Sequence, residues 1–367
     1  MQSLGERVEV VDAVRGFALL GVLIANVGVF MHNTGDINSY AVSLYEIFVL
    51  SNFYVIFSML FGLSFYIFMS KPKNSKVTFL RRVTILLFFG FIHLTFLWHI
   101  DILHAYAVTA YLLIFFYDMD LKWIKVCIVG FFLVDMLFEA YLSSEILQNY
   151  LLQPTSSSLI DTYYTATYAE NLSITFENLP NVLANTVVEI PHYLFLFLIG
   201  LYIGKSGIYA ETSERFDDIY RTSIYSLIVV LVSSLAWGVL AINETTNEYL
   251  IDPATNIFNL ALGIFYITFI VILYQQYSQS YIFDRFRAIG KMTLTNYLSH
   301  SVIYLILFYD FNLGLHNEFP KLLVPFIALP IFFLQAEFSR YWIEKYGHGP
   351  IEKIWRYLTY FKASLLL

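Results

Sequence analysis

The residues best suited to chemistry crowd into one stretch: Gly90-Phe-Ile-His93-Leu-Thr-Phe-Leu-Trp98-His99-Ile-Asp101-Ile-Leu-His104-Ala-Tyr106. Three histidines and one aspartate lie within twelve residues. A buried, neutral His93 with a carboxylate partner such as Asp101 is the pairing a general base needs. The same residues also suit interhelical hydrogen bonding without chemistry, or metal ligation. No His-x-x-x-His pair occurs here, so no metal is expected. A second polar set opens the chain. Asp12 and Arg15 are three residues apart, close enough to pair on one helical turn. Either they fix that turn at the membrane interface, or Arg15 faces an anionic ligand. Asn26, eleven residues beyond Arg15, either bonds a neighbouring helix or orients a reacting carbonyl. His32 follows in a loop. A third set is Gly290-Lys291-Met-Thr293-Leu-Thr295-Asn296-Tyr297-Leu-Ser299-His300-Ser301, which is unusually polar for an apolar region. Ser58 and Gly62 are small residues that permit close helix packing.

These sets are islands in an apolar chain. Of 367 residues, 58% are hydrophobic, 19% aromatic and only 13% charged. A soluble domain carries roughly 25% charged residues. The composition excludes a disordered chain, a basic nucleic-acid binder and an ordinary cytosolic enzyme. It predicts an all-α polytopic membrane bundle, since long apolar runs favour helices over a barrel. The single Cys127 excludes a disulfide within the chain and a cysteine-built metal site. Ten runs approach the ~20 apolar residues of a spanning helix: 13–31, 45–69, 79–98, 101–117, 123–142, 191–208, 222–242, 255–274, 291–309 and 321–343. The first reads as a retained helix, not a removed signal peptide. With the N-terminus in the cytoplasm, 20 of the 21 Lys and Arg fall on the cytoplasmic side and only Lys321 outside. That asymmetry predicts both termini inside. Residues 143–190 form a long, acidic outside loop, expected to carry short helices or cover a site. Glu46, Asp135, Glu139, Glu189 and His192 read as interfacial. The polar sets must face protein or water, so a polar cavity is expected between the first, third, fourth and ninth spans. Residues 1–343 form one transmembrane domain. Residues 344–367 hold an amphipathic helix on the cytoplasmic surface, with Ile351, Ile354, Trp355, Leu358 and Phe361 at helical spacing. No internal repeat is evident, nor any P-loop, nucleophile elbow or dinucleotide fingerprint.

Five blocks, in order, resemble the bacterial YeiB family of integral-membrane proteins. They are Val11-Asp12-Ala-Val-Arg15-Gly16 through Asn26, Phe57-Ser58-Met-Leu-Phe-Gly62, and Arg81-Arg82 with Phe89-Gly-Phe-Ile-His93 and Asp101-Ile-Leu-His104-Ala-Tyr106. The last two are Gly290-Lys-Met-Thr-Leu-Thr-Asn296-Tyr297 and Gly349-Pro350-Ile-Glu352-Lys-Ile-Trp355-Arg356. The family in turn looks related to a transmembrane acyltransferase superfamily that includes lysosomal heparan-glucosaminide acetyltransferase and bacterial glycan O-acyltransferases. In the O-acyltransferase branch a His stands where this chain has Asn26. The chain also has Ile100 before Asp101 where its family usually has Gly.

The resemblance implies an enzyme of the bacterial cytoplasmic membrane. It would pass an acyl group, such as acetyl, from cytoplasmic acyl-CoA to an extracytoplasmic sugar or envelope acceptor. Arg15 with Asp12, Arg81, Arg82 and Lys291 would hold the CoA phosphates. His93 would act as base with Asp101 or His32 as helper, and Asn26 or Asn296 would stabilise the oxyanion. Ser58, Trp98, His104, Asn296 and Tyr297 would line the substrate path. The expected partners are the lipid bilayer, acyl-CoA and the glycan or lipid-linked acceptor, with a homodimer as one assembly state and no nucleic acid. A small-solute transporter or channel, and a non-catalytic acyl-CoA or lipid binder, use the same polar groups and remain alternatives.

Overall fold

The computed structural model describes residues 4–32, 48, 53–142, 162–210, 212–242 and 248–361. Every extended element among them is a helix: α1 (Leu4–Val29), α2 (Phe53–Met69), α3 (Lys76–Phe96), α4 (Leu103–Ala110), α5 (Leu113–Tyr117), α6 (Leu121–Leu142), α7 (Tyr168–Ser206), α8 (Phe216–Ile242), α9 (Glu248–Tyr277), α10 (Tyr281–Lys291), α11 (Thr293–Phe308), α12 (Val324–Tyr346) and α13 (Pro350–Tyr360). Among the described residues, six stretches are long and apolar enough to cross a membrane: those in α1, α3, α7, α8, α9 and α12, with α2 a shorter apolar helix. Their outward faces carry large exposed hydrophobics such as Phe88, Leu235, Phe326 and Leu334. Such a surface suits lipid and not water.

The expected helices differ from the observed ones in three places. The fourth span, 101–117, is broken at residues 111–112 into the two short helices α4 and α5. The ninth, 291–309, begins with Thr293, and a separate amphipathic helix, α10, leads into it. Residues 168–190, expected within the outside loop, are helical and continuous with the sixth span as the 39-residue α7. At 1.5 Å per residue α7 is about 58 Å long, nearly twice a ~30 Å hydrocarbon core. Its start is fixed by a capping box. The Thr167 hydroxyl accepts from the Glu170 backbone N–H, and the Glu170 carboxylate accepts from the Thr167 N–H at 2.8 Å. Asp36, Glu46, Asn52 and residues 143–161 lie outside the described residues.

Small residues set the closest crossings. A Cβ on Gly62 of α2 would lie 1.9 Å from the Phe197 carbonyl oxygen of α7, and one on Gly200 of α7 would lie 1.9 Å from that of Met59. Gly16 of α1 and Gly290 of α10 do the same against Phe286 and Asp12 carbonyls, at 2.0 and 1.8 Å. These helices therefore pack backbone to backbone, the small-residue mode of membrane bundles. The amphipathic pattern at 350–361 does fold as a helix, α13. It docks under α3 and α11: Trp355 Nε1 donates to the Arg82 carbonyl at 2.8 Å, and the Glu352 carboxylate accepts from the Thr295 N–H at 3.0 Å.

Candidate functional site

Local sequence builds the site first. At the end of α3 the His93 carbonyl accepts from both Leu97 N–H (3.0 Å) and Trp98 N–H (2.8 Å), which closes the helix. The chain turns, and Asp101 meets the start of α4. Its Oδ2 accepts from the His104 backbone N–H at 2.9 Å, satisfying an orphan donor as a cap does. Carboxylates are favoured at that helix end by the dipole as well. Gly90 makes the return possible: a Cβ there would sit 2.6 Å from the His104 nitrogen.

Around this cap the side chains form one network. Asp101 Oδ1 lies 2.6 Å from His93 Nδ1, and Oδ2 lies 2.8 Å from His104 Nδ1. His93 Nε2 is 2.7 Å from Ser301 Oγ on α11, and His104 Nε2 is 3.0 Å from Thr186 Oγ1 on α7. The Tyr297 ring tilts over His93 with centroids 5.2 Å apart. His93, Asp101, His104, Thr186 and Ser301 are all buried. Where a polar cavity was expected, these groups bond one another directly.

Proton counting constrains the network. A neutral imidazole has one N–H and one acceptor nitrogen. With Nδ1–H on Asp101, His93 keeps Nε2 as an acceptor for the Ser301 hydroxyl. That is the tautomer a general base requires. Thr186 has one hydroxyl proton and two acceptors in reach, the Val182 carbonyl at 2.8 Å and His104 Nε2 at 3.0 Å. When the proton goes to Val182, the Thr186 oxygen is left to accept from His104 Nε2.

The other candidates fall elsewhere. Asn26 is half-buried and joins no hydrogen bond among the described residues. His32 is tied to the segment after α11: its N–H donates to the Phe319 carbonyl at 3.2 Å and its carbonyl accepts from Lys321 N–H at 3.1 Å. No described contact joins His32 to His93. Asn296 is committed to α12, its Nδ2 donating to Ser339 Oγ at 2.9 Å. Ser58 lies 2.7 Å from the Tyr106 hydroxyl and donates to the Tyr54 carbonyl at 2.8 Å, joining α2 to α4. Trp98 is buried beside Phe30 and Tyr304.

The basic candidates are also sorted. Arg15 donates to Asp12 Oδ1 (2.7 Å) and to Ser64 Oγ (2.6 Å). Arg81 donates to the Phe361 carbonyl at 2.9 Å and the Thr359 carbonyl at 3.3 Å, where α13 ends. Lys291 is exposed near Asp12. Arg82 differs. Its guanidinium stacks 3.5 Å above the Trp355 ring, and no carboxylate among the described residues bonds it. Arg15, Arg356 and the Glu352 carboxylate are its charged neighbours. Burial, and then the charges of Lys73, Arg356 and Arg82, push the nearby Lys71 ammonium down.

Sequence reading passed over Ser301, Thr186 and a second polar cluster. Asp135, expected at an interface, is buried, with His192 Nδ1 at 2.9 Å and Asn256 Nδ2 at 3.4 Å. The excess of polar residues in 293–301 was the only signal for Ser301. The Asn171-Leu-Ser173 tripeptide matches a glycosylation sequon, but Asn171 is buried, so the folded chain does not present it.

Apolar exposed helices around buried polar networks define a multi-pass helical membrane protein. Its relatives are similar over nearly the whole chain. It is 25% identical to the uncharacterized protein YxaH of Bacillus subtilis (strain 168), over 97% of this chain and 94% of that one. An uncharacterized 39.9 kDa protein from the amylase 3' region of Bacillus acidopullulyticus is 27% identical, over 98% and 95%. The uncharacterized protein YeiB of Escherichia coli (strain K12) is 25% identical, over 96% of each. Residues 203–362 match the family described as "Protein of unknown function (DUF418)". The resemblance to YeiB read from the motifs is thus borne out, and these relatives carry no activity in their descriptions.

Proposed function

We propose that this protein is a membrane-embedded acyltransferase. The observation that carries the reading is His93, held by Asp101 at Nδ1 and presenting Nε2 to a hydroxyl 2.7 Å away. In this reading Ser301 Oγ occupies the place of an acceptor hydroxyl. The acceptor oxygen attacks the thioester carbonyl, and its proton passes to His93 Nε2. The C–S bond breaks, and the departing thiolate of CoA takes that proton, leaving the acyl group on the acceptor.

The donor would approach along α3. Arg82 and His93 are eleven residues apart, three helical turns, so they share one face about 16 Å apart along the axis. Arg82, with Lys71 and Arg356 nearby, is a cation cluster suited to the phosphates of acyl-CoA. The one-sided distribution of Lys and Arg supports placing this face in the cytoplasm, the acceptor on the other side, and the chain in a bacterial cytoplasmic membrane.

The test is purified protein in nanodiscs with labelled acetyl-CoA and a panel of envelope sugars. The expected result is thiol release coupled to acylated sugar. Arg82→Ala should raise KM for the donor, while His93→Ala should abolish turnover. Solute flux into empty liposomes with no thiol release would overturn the reading in favour of transport.

A further inference from the structure

One face of α7 reaches both aspartate–histidine pairs of the bundle. Thr186, Glu189 and Tyr193 recur at three- and four-residue spacing and stack on that face, with His192 beside them. Thr186 Oγ1 meets His104 Nε2 at 3.0 Å, and His192 Nδ1 meets Asp135 of α6 at 2.9 Å. Glu189 stands between these two contacts, one helical turn from each. His104 and His192 are its charged neighbours, and the Tyr193 hydroxyl interacts with its carboxylate. Glu189 is exposed, whereas His104 is buried. In the orientation proposed above, Glu189 lies just outside the sixth expected span, on the extracytoplasmic side.

The hydrogen bonds around His104 fit the imidazole with one proton or with two. Asp101 Oδ2 lies 2.8 Å from Nδ1 and also accepts the His104 backbone N–H at 2.9 Å. With Asp101 ionised, Nδ1 carries a proton in both states. The Thr186 hydroxyl has two acceptors in reach, His104 Nε2 and the Val182 carbonyl at 2.8 Å. Turned to Nε2, it holds a neutral imidazole. Turned to Val182, its oxygen accepts from the Nε2–H of an imidazolium. Rotation of one hydroxyl therefore exchanges the two states with no buried polar group stranded. Two carboxylates favour the charged state, Asp101 on the same turn and Glu189 on α7. His93 of α3, on the far side of Asp101, opposes it when protonated. The other titratable groups nearby are phenols: Tyr297 of α11 over His93, Tyr106 of α4 against Tyr193, and Tyr54 of α2 against His192.

We infer that His104, Thr186 and Glu189 form a proton-uptake site fed from extracytoplasmic water. The Glu189 carboxylate takes a proton from hydronium and leaves water. Thr186, three residues back and about 5–6 Å away between Cβ atoms, gives its hydroxyl proton to His104 Nε2 and takes the one from Glu189. The new hydroxyl proton turns to Val182, and Glu189 returns to its ionised form beside a charged imidazole. The uptake reaches His93 through the shared Asp101. An imidazolium at His104 draws on that carboxylate, so His93 Nδ1–H is held less strongly and His93 becomes a poorer base. This last consequence rests on the acyltransfer reading; proton uptake does not.

The experiment uses the full chain with isotope-labelled histidine in lipid bilayers, without acyl-CoA. Solid-state nitrogen NMR follows the imidazoles from about pH 8 to about pH 5. We expect one imidazole to pass from one N–H to two in that range, its signal being absent from His104→Asn. Glu189→Gln should lower its proton affinity at least about threefold, moving the midpoint to lower pH, because a negative charge beside it is gone. Glu189→Asp should restore part of that shift. Glu189 is exposed, so these two substitutions leave the packed interior intact. His192→Asn, which removes the other imidazole beside Glu189, should leave the titrating signal in place, and it identifies His104 if His104→Asn fails to fold. A His104 that keeps one N–H throughout, or a midpoint unmoved by Glu189→Gln, overturns the inference. Titration in a protein that releases no thiol keeps the site and removes the acyltransferase; thiol release with a His104 that never titrates does the reverse.

Discussion

Two aspartate–histidine clusters sit in the same bundle and are built differently. Asp101 accepts three hydrogen bonds, from His93 Nδ1, His104 Nδ1 and the His104 N–H, at 2.6–2.9 Å. Its side chain is fully enclosed. Asp135 has His192 at 2.9 Å and a longer contact to Asn256 at 3.4 Å, and the His192 side chain is 14% exposed. In the first cluster a backbone cap fixes the carboxylate before any distant helix arrives. In the second, three remote helices supply one group each. A carboxylate that also terminates a helix is positioned to hold a histidine in one tautomer. Among the described residues, the Asp135 pair has no such anchor and no hydroxyl on its outer nitrogen.

The contrast is sharpest when each aspartate is changed alone. Asp101→Asn should lower stability by about 3–5 kcal/mol, the range for breaking a buried charged pair, and reduce proposed turnover by roughly 10²-fold or more. Melting curves in nanodiscs and thiol release check the two effects. Asp135→Asn should cost about 1–2 kcal/mol and leave turnover near wild type. Equal losses from both would break the comparison.

A smaller effect is expected from geometry alone. Gly90→Ala forces a methyl to within 2.6 Å of the His104 nitrogen and wedges α3 from α4. We expect a loss of about 1–3 kcal/mol, with turnover falling further than stability because the Asp101 cap moves. Gly130 has open space at its Cβ position, so Gly130→Ala serves as the control, with a small gain from helix propensity. The smallest change should come from Ser301→Ala. One hydrogen bond is lost, about 0.5–1.5 kcal/mol, while His93 keeps its hold on Asp101. Turnover should survive if Ser301 marks the acceptor position, and vanish if the serine itself must react. Acceptor-dependent thiol release separates the two.

The difference between the clusters also explains what sequence made visible. His93, Asp101 and His104 fall within twelve residues because one turn builds them, so residue type and spacing exposed them. Ser301 and Thr186 arrive from 208 and 82 residues away along the chain, and no local pattern ties them to His93 and His104. Asp135 and His192 looked interfacial because each stands alone near the end of its own apolar run. The basic residues were legible as a class but not by role. Arg81 and Arg82 are adjacent, yet one binds carbonyls at the end of α13 and the other stacks on Trp355. Which neighbour does which depends on where α13 docks.

Sequence alone determined that this chain is a helical membrane protein whose motifs resemble those of YeiB. It also determined that its scarce polar groups gather around the α3–α4 turn. Apolar length, charge asymmetry and capping are properties of contiguous residues, and contiguous residues carry them in any context. Tertiary structure decided which hydroxyl meets His93, which arginine stacks on Trp355, and that Asn171 is buried. Those outcomes follow from close helix crossings at glycines, whose partners lie up to about 280 residues apart in the chain, and distance through the fold is not written in distance along it.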